Sequence, residues 1–342
     1  MKTTILKKAA ALLLCLVLLL SVPFAQAAAA EIYDTGVRVR DPFVIQHEGV
    51  YYMYGTGLAA EGYGCVYGTD LRNWSEPVRV CEPVSDAAGD WWAPECHFYK
   101  GAFYLFATYR SAQSGKRGVA IFRADSPLGP FEIITDGHIT PKNRDCIDGT
   151  LWVDESGQPW MVYVGEWTSN EDGVGNMTAA KLSDDLTAFV SEPAVLFRAS
   201  DGGKNSSFVT DGPFLYKTEN GRLIMLWSNM DSGAYCVKVA YSSDGRVDGR
   251  WKQQPGYLYR KTDRLEDGGH GMLFTAPDGT LTLSVHSPNF ATEEIPTTAV
   301  FVPVADIGDT LVMQEEDNIF TRIYYRFYYF FAQLTEFFGF AG

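Results

Sequence analysis

The chain has 342 residues, 46% of them hydrophobic and 14% aromatic, and 28 basic against 42 acidic side chains give it a formal net charge of −14. A surface that acidic repels phosphate backbones, so nucleic acid is excluded as a partner.

Residues 1–27 start with Lys2, Lys7 and Lys8, run through an apolar stretch from Ala9 to Leu20, and end on Ala25-Gln26-Ala27. This order predicts a cleaved secretory signal and a secreted mature chain. A short amino-terminal membrane anchor is the rival reading, against which the apolar run is short for a bilayer span. Removing the segment takes away three lysines and no acid, so −14 becomes −17.

From residue 37 a unit recurs five times. Each copy opens on a short motif: Arg40-Asp41-Pro42, Ala93-Pro94-Glu95, Ile147-Asp148-Gly149, Asp211-Gly212-Pro213 and Gly269-His270-Gly271. With 41, 95, 148, 211 and 270 as anchors, the intervals are 54, 53, 63 and 59 residues, a steady repeat. A hairpin glycine follows each anchor (Gly49, Gly101, Gly157, Gly221, Gly279), then a run such as VYYMYGTG, AFYLFATY or RLIMLWSN. Val, Ile, Tyr, Phe and Trp in short runs between turn residues are what a half-buried pleated surface selects. A third run follows in every unit, and a fourth is legible at PVRVC, AVLF and TLVMQ. Four short antiparallel strands per unit, repeated radially, predict an all-β, five-bladed β-propeller over residues 28–317.

Residues 318–342 do not fit that repeat. Tyr and Phe dominate, and Arg322, Arg326, Gln333 and Glu336 fall on one narrow helical stripe. Such an aromatic amphipathic tail would dock on the propeller, mediate self-association through 319–340, or lie on a membrane surface; two arginines and a glutamate argue against spanning. The mature cysteines (Cys65, Cys81, Cys96, Cys146, Cys236) are odd in number and lack metal-ligand spacing. A buried, reduced set is expected, with a Cys65–Cys81 bridge as the alternative. His47, His97, His138 and His286 likewise show no ligand spacing, and transition-metal catalysis is not indicated.

In a propeller the innermost strand of each blade points an equivalent position at the central axis. Asp41, Glu95, Asp148, Asp211 and His270 should therefore converge on one cavity. Taken singly, each acid would cap a turn; five in phase read as a site. Paired carboxyls flanked by Trp91, Trp92, Trp152, Trp167 and Trp227 fit sugar recognition and glycoside hydrolysis. That chemistry needs one carboxylic acid to protonate the departing oxygen and one carboxylate as base or nucleophile.

The ordered set VRDPFVI, WWAPECHFYKGAFYLF, IDGTLWVDESGQPWMVYV, TDGPFLY and GHGMLF, with HSPN after it, resembles glycoside hydrolase family 43 across nearly all of residues 37–317. The resemblance implies a five-bladed propeller that hydrolyses furanosides or xylosides with inversion, on a plant-type polysaccharide such as arabinan or arabinoxylan, and requires no cofactor. Asp41 matches the general base, with Arg40 beside it keeping it ionised. Asp148 matches the third acid, which orients the proton donor and tunes its pKa. Trp92 and Glu95 match part of the substrate-binding wall. His270 matches a histidine at the cavity bottom that contacts water or calcium, so a structural calcium is allowed there, held mostly through water.

The donor departs from the pattern. The family places Glu before Gly-Pro on the fourth blade, and this chain has Asp211, one methylene shorter. Either Asp211 is the acid, or it positions substrate and a longer side chain donates. Glu166, with Trp167 beside it to hold a sugar, is the leading substitute, and Glu95 is the next. The leading expectation is a secreted, exo-acting α-L-arabinofuranosidase. The alternatives are a β-xylosidase or galactosidase of the same family, or a sugar-binding propeller without activity. An invertase-like propeller fits less well, since no Asn-Asp-Pro motif opens the first blade.

Overall fold

The computed structural model describes residues 31–337, so the signal expected at 1–27 lies outside the described residues. The described residues divide into two units, Glu31–Met313 and the carboxy-terminal segment that begins at Gln314.

After a short strand β1 (Tyr33–Asp34), the first unit forms five antiparallel sheets in sequence order. The first holds β2 (Arg40–His47), β3 (Val50–Thr56), β4 (Tyr63–Gly68) and β5 (Val78–Cys81). The second holds β6 (Trp92–Tyr99), β7 (Ala102–Arg110), β8 (Arg117–Ala124) and β9 (Glu132–Ile133). The third holds β10 (Cys146–Val153), β11 (Pro159–Gly165), β12 (Asn176–Lys181) and β13 (Ala194–Arg198). The fourth holds β14 (Asp211–Lys217), β15 (Leu223–Asp231), β16 (Ala234–Ser242) and β17 (Trp251–Gln253). The fifth holds β18 (Gly269–Thr275), β19 (Leu281–Ser287) and β20 (Thr298–Asp306), whose outer edge is shared by β21 (Leu311–Met313) and by β1 from the start of the chain. This is the five-bladed propeller that the repeat predicts. Two features were not visible in sequence: β9 and β17, of two and three residues, and the closure of the ring by β1 on β20.

The five hairpin glycines all sit at φ between 82° and 86°, a region that costs glycine nothing and L-residues strain. They make the repeat legible because each blade needs one at the same register. Large apolar side chains fill the space between blades. One cluster joins Tyr54, Tyr63 and Val80 of the first sheet to Leu105 and Phe122 of the second, and another joins Val162 and Phe197 of the third to Met225 and Trp227 of the fourth. All five described cysteines are free and buried.

In the second unit, α1 (Ile319–Phe337) starts at Asn318, whose Oδ1 accepts from the N–H of Phe320 at 3.0 Å and of Thr321 at 3.1 Å, an N-cap. Phe320, Tyr324, Phe330 and Phe331 are exposed on it. Among the described residues no helix is long and apolar enough to cross a membrane.

Candidate active site

Every inner strand breaks its ladder at the same place. The register shifts between Arg40 and Phe43, Trp92 and Glu95, Ile147 and Thr150, Asp211 and Phe214, and Gly269 and Met272. These are β-bulges, which re-aim side chains and sit beside active sites. Inside each bulge one residue takes a left-handed φ: Asp41 (55°), Ala93 (42°), Asp148 (54°), Gly212 (49°) and His270 (54°). The structurally equivalent set is therefore 41, 93, 148, 212 and 270. Against the sequence register, Glu95 lies two residues too late and Asp211 one too early.

A buried bulge N–H must find an acceptor, and the preceding blade supplies it. Ala93 N–H donates to Thr56 Oγ1 at 2.8 Å, Asp148 N–H to Thr108 Oγ1 at 3.1 Å, His270 N–H to Ser228 Oγ at 2.8 Å, and Asp41 N–H to His286 Nδ1 at 3.1 Å across the ring closure. All four acceptors stand on second strands, paired with the residue just before the bulge. In the third blade that register holds Val164, opposite Ile147. Valine accepts nothing, so Gly212 N–H donates instead to Asp148 Oδ2 at 3.0 Å. The missing hydroxyl ties Asp148 to the entry of the fourth blade.

The bulges open on a cavity of about 350 Å³ lined by Asp41, Asp148, Asp211 and His270, with Arg40, Trp92, Glu166 and Trp167 among its walls. Eight of the nine residues expected at the site thus share one cavity. The ninth, Glu95, is buried but absent from the lining. Its Oε2 lies 3.4 Å from His97 Nε2, which also accepts Leu151 N–H at 3.4 Å. That nitrogen presents a lone pair, and burial pushes the Glu95 carboxyl up to about 8, so the glutamate meets it as a neutral acid. Of the tryptophans expected around the cavity, only Trp92 and Trp167 line it. Trp227 is fully buried and Trp91 packs on Tyr63 and Tyr109 inside the core. Trp152 lies at the far end of its strand.

The three cavity aspartates differ in charge state. Burial alone would raise Asp41, but His270, His286 and Arg40 outweigh it and hold its carboxyl well below the usual carboxylate range. Thr56 Oγ1 donates to Asp41 Oδ2 at 2.6 Å, and His270 Nδ1 lies 3.2 Å from Oδ1. Arg40 itself clamps Asn289, donating to its carbonyl oxygen and, at 2.9 Å, to its Oδ1. Asp211 is pushed up to about 8 by burial and then by Asp148. The Tyr235 hydroxyl donates to its Oδ2 at 3.0 Å, leaving Oδ1 to carry the proton. Asp148 also rises well above its ordinary value, through burial and then the charge of Asp41, with the Gly212 N–H pulling the other way.

Glu166 is committed elsewhere. Arg117 Nε donates to its Oε2 and Nη2 to its Oε1, both at 2.7 Å, in a bidentate pair. The same guanidinium lies 5.0 Å from the ring centroid of Trp92 and reaches Asp90 Oδ2 at 3.2 Å. Glu166 and Arg117 thus brace the aromatic wall, with both Glu166 oxygens engaged by the guanidinium. Sequence reading missed Thr56, Arg117, Tyr235 and His286. They stand on second and third strands, and only Thr56 and His286 carry a signal, their pairing with the residue before a bulge.

His270 Nε2 is buried without a hydrogen-bond partner among the described residues. Among those residues no three His, Cys, Asp or Glu side chains converge as metal ligands. One imidazole nitrogen does not fit direct coordination of calcium, which takes six to eight oxygens. It suits a water molecule.

A propeller whose central cavity sets the ionised Asp41 across from the protonated Asp211, beside aromatic walls, has the parts of a glycosidase. The chain belongs to the glycosyl hydrolases family 43, whose model matches residues 36–298. It is 28% identical over 263 residues to the extracellular exo-α-(1→5)-L-arabinofuranosidase ArbA of Cellvibrio japonicus, covering 69% of this chain and 71% of that one. It is 26% identical over 263 residues to the extracellular endo-α-(1→5)-L-arabinanase 1 of Bacillus subtilis, covering 72% and 76%. Among solved structures, the endo-arabinase from Bacteroides thetaiotaomicron superposes with a TM-score of 0.71 at 34% identity, over 81% of this chain and 98% of that one.

Proposed function

We propose that this chain is a secreted, inverting glycosidase of arabinofuranosyl linkages, with Asp41 as base and Asp211 as proton donor. The observation that carries this reading is the split between the two carboxyls, one held ionised and one held protonated near neutral pH within one cavity. The relatives named for arabinofuranosidase and arabinanase activity support the sugar class, and their description as extracellular supports secretion.

The sugar stacks its apolar face on Trp92 or Trp167. Asp41 takes a proton from a water molecule as that water's oxygen bonds to the anomeric carbon. The bond to the departing oxygen breaks, and that oxygen takes the proton from Asp211 Oδ1. Asp148, tied to Gly212 N–H beside Asp211, is a positioning residue: the two buried acids repel when both are ionised, which keeps a proton on the pair. Attack from the face opposite the leaving group inverts the anomeric centre.

Purified residues 28–342 are expected to release nitrophenol from an α-L-arabinofuranoside and not, or far more slowly, from β-xyloside and galactoside. Proton NMR of the first-formed sugar should show the inverted anomer. Preference for xyloside would transfer the reading to a xylosidase, and a retained anomer would remove the base role from Asp41.

A further inference from the structure

Trp152 follows Asp148 by four residues on β10, about 13 Å further along the strand, so it belongs to the opposite end of the blades from the catalytic cavity. It pairs directly with Trp160 of β11, which puts both rings on one face of the third sheet. That face forms one wall of a groove of about 540 Å³, and the other wall comes from the β14–β15 hairpin and the Asp244–Asp248 turn of the fourth blade. Trp160 is committed to the fold: its Nε1 donates to Asp154 Oδ2 at 2.9 Å, and Lys181 lies 5.2 Å from its ring centroid. Trp152 is half-buried and presents the groove's available aromatic surface.

We infer that this groove between the third and fourth blades is a second binding site, for a neutral polysaccharide chain, with Trp152 as its stacking platform. Charge selects the ligand class. Lys217 is already paired with Glu155 across the groove, and Arg246 with Asp248 at 2.8 Å; with Lys181 over the Trp160 ring, the three cations of the lining are outnumbered by Asp154, Glu155, Asp244 and Asp248, so no cation is left in excess for an anionic ligand. An aromatic ring among charged groups with no excess of cations suits an uncharged polyol, whose ring faces stack and whose hydroxyls exchange hydrogen bonds with the rim. The site would hold a distant stretch of the same polymer while the cavity cuts a branch or end, and in that sense it rests on the polysaccharide reading above.

The test separates holding from cutting. In an Asp41→Asn background, migration is followed through native gels containing soluble arabinan, arabinoxylan or galactan, while nitrophenyl arabinofuranoside turnover is measured in chains that keep Asp41. Trp152→Ala should weaken retardation about 3- to 10-fold in apparent Kd, the range of one aromatic contact, with turnover within about 2-fold of the parent. Ser156→Arg, on the exposed β10–β11 hairpin, should crowd the groove and weaken retardation similarly with both tryptophans in place; it decides the matter if Trp152→Ala fails to fold. Retardation unchanged in both variants, or absent for the parent in all three gels, overturns the inference. A parent that turns over no nitrophenyl glycoside and releases no sugar from the three polymers, yet shows Trp152-dependent retardation, would instead reject the glycosidase reading and leave the groove standing.

Discussion

The first and fourth blades meet the central cavity through the same left-handed bulge, yet their carboxyls end in opposite charge states. In the first blade the aspartate is the bulge residue, and it faces His270, His286 and the Thr56 hydroxyl. In the fourth the bulge residue is Gly212, because a Cβ there would sit 2.8 Å from the His270 ring. The aspartate is displaced to position 211, where burial and Asp148 dominate and a single tyrosine hydroxyl is the donor. The inner strand supplies the carboxyl in both cases. Whether that carboxyl is a base or an acid is decided by side chains from neighbouring second and third strands.

The largest effect is expected from removing the base. Asp41→Asn should lower kcat by about ten-thousand-fold on every substrate, since the other carboxylate paired with a cation in the cavity wall, Glu166, has both oxygens engaged by Arg117. Residual activity above a hundredth of the parent would take the base role away from it.

Asp211→Asn should be graded by leaving group, with a loss of about a hundredfold or more on alkyl or sugar aglycones and much less on nitrophenol, which departs without help. The same variant should be more stable than the parent at neutral pH. Between pH 3.8 and about 8 the folded chain keeps a proton on Asp211 that the unfolded chain releases, so stability falls with rising pH across that window. Asparagine escapes that cost, and a gain on the order of 1–3 kcal/mol is expected by calorimetry at pH 7. A less stable Asp211→Asn would mean the carboxyl is ionised and supported.

Glu166→Gln should act on the wall and not on proton transfer. KM is expected to rise about 3- to 10-fold with kcat within about 3-fold, equally for good and poor leaving groups, because Arg117 loses part of its hold on the Trp92 side of the cavity. A deficit confined to poor leaving groups would make Glu166 the donor. The smallest effect belongs to Tyr235→Phe. Its hydroxyl stabilises the ionised form of Asp211, so its loss should move the alkaline limb of activity upward by a fraction of a pH unit.

Much of this was legible because a blade repeats its demands. The hairpin glycines and the aromatic runs recur since each blade needs the same turn and the same packing surface, and Asp41, Asp148, Asp211 and His270 could be gathered from spacing alone. The bulge was not legible. Nothing in Ala93-Pro94-Glu95 says that Ala93 takes the left-handed turn, so Glu95 read as a cavity acid when it lies beneath the lining. Tryptophans misled for a related reason: strand alternation decides which ring faces the cavity, and composition does not show where the alternation slips. Arg117 and Tyr235 stood hidden in strands whose pattern reports only packing.

The division between base and acid is tested most directly by kcat/KM against pH on a nitrophenyl arabinofuranoside, for the parent and for Asp211→Asn. The activity of the parent should fall as pH rises through about 8 and level off near that of the variant, which on this good leaving group should show no such limb. An alkaline limb that persists unchanged in Asp211→Asn would mean that another group holds the catalytic proton.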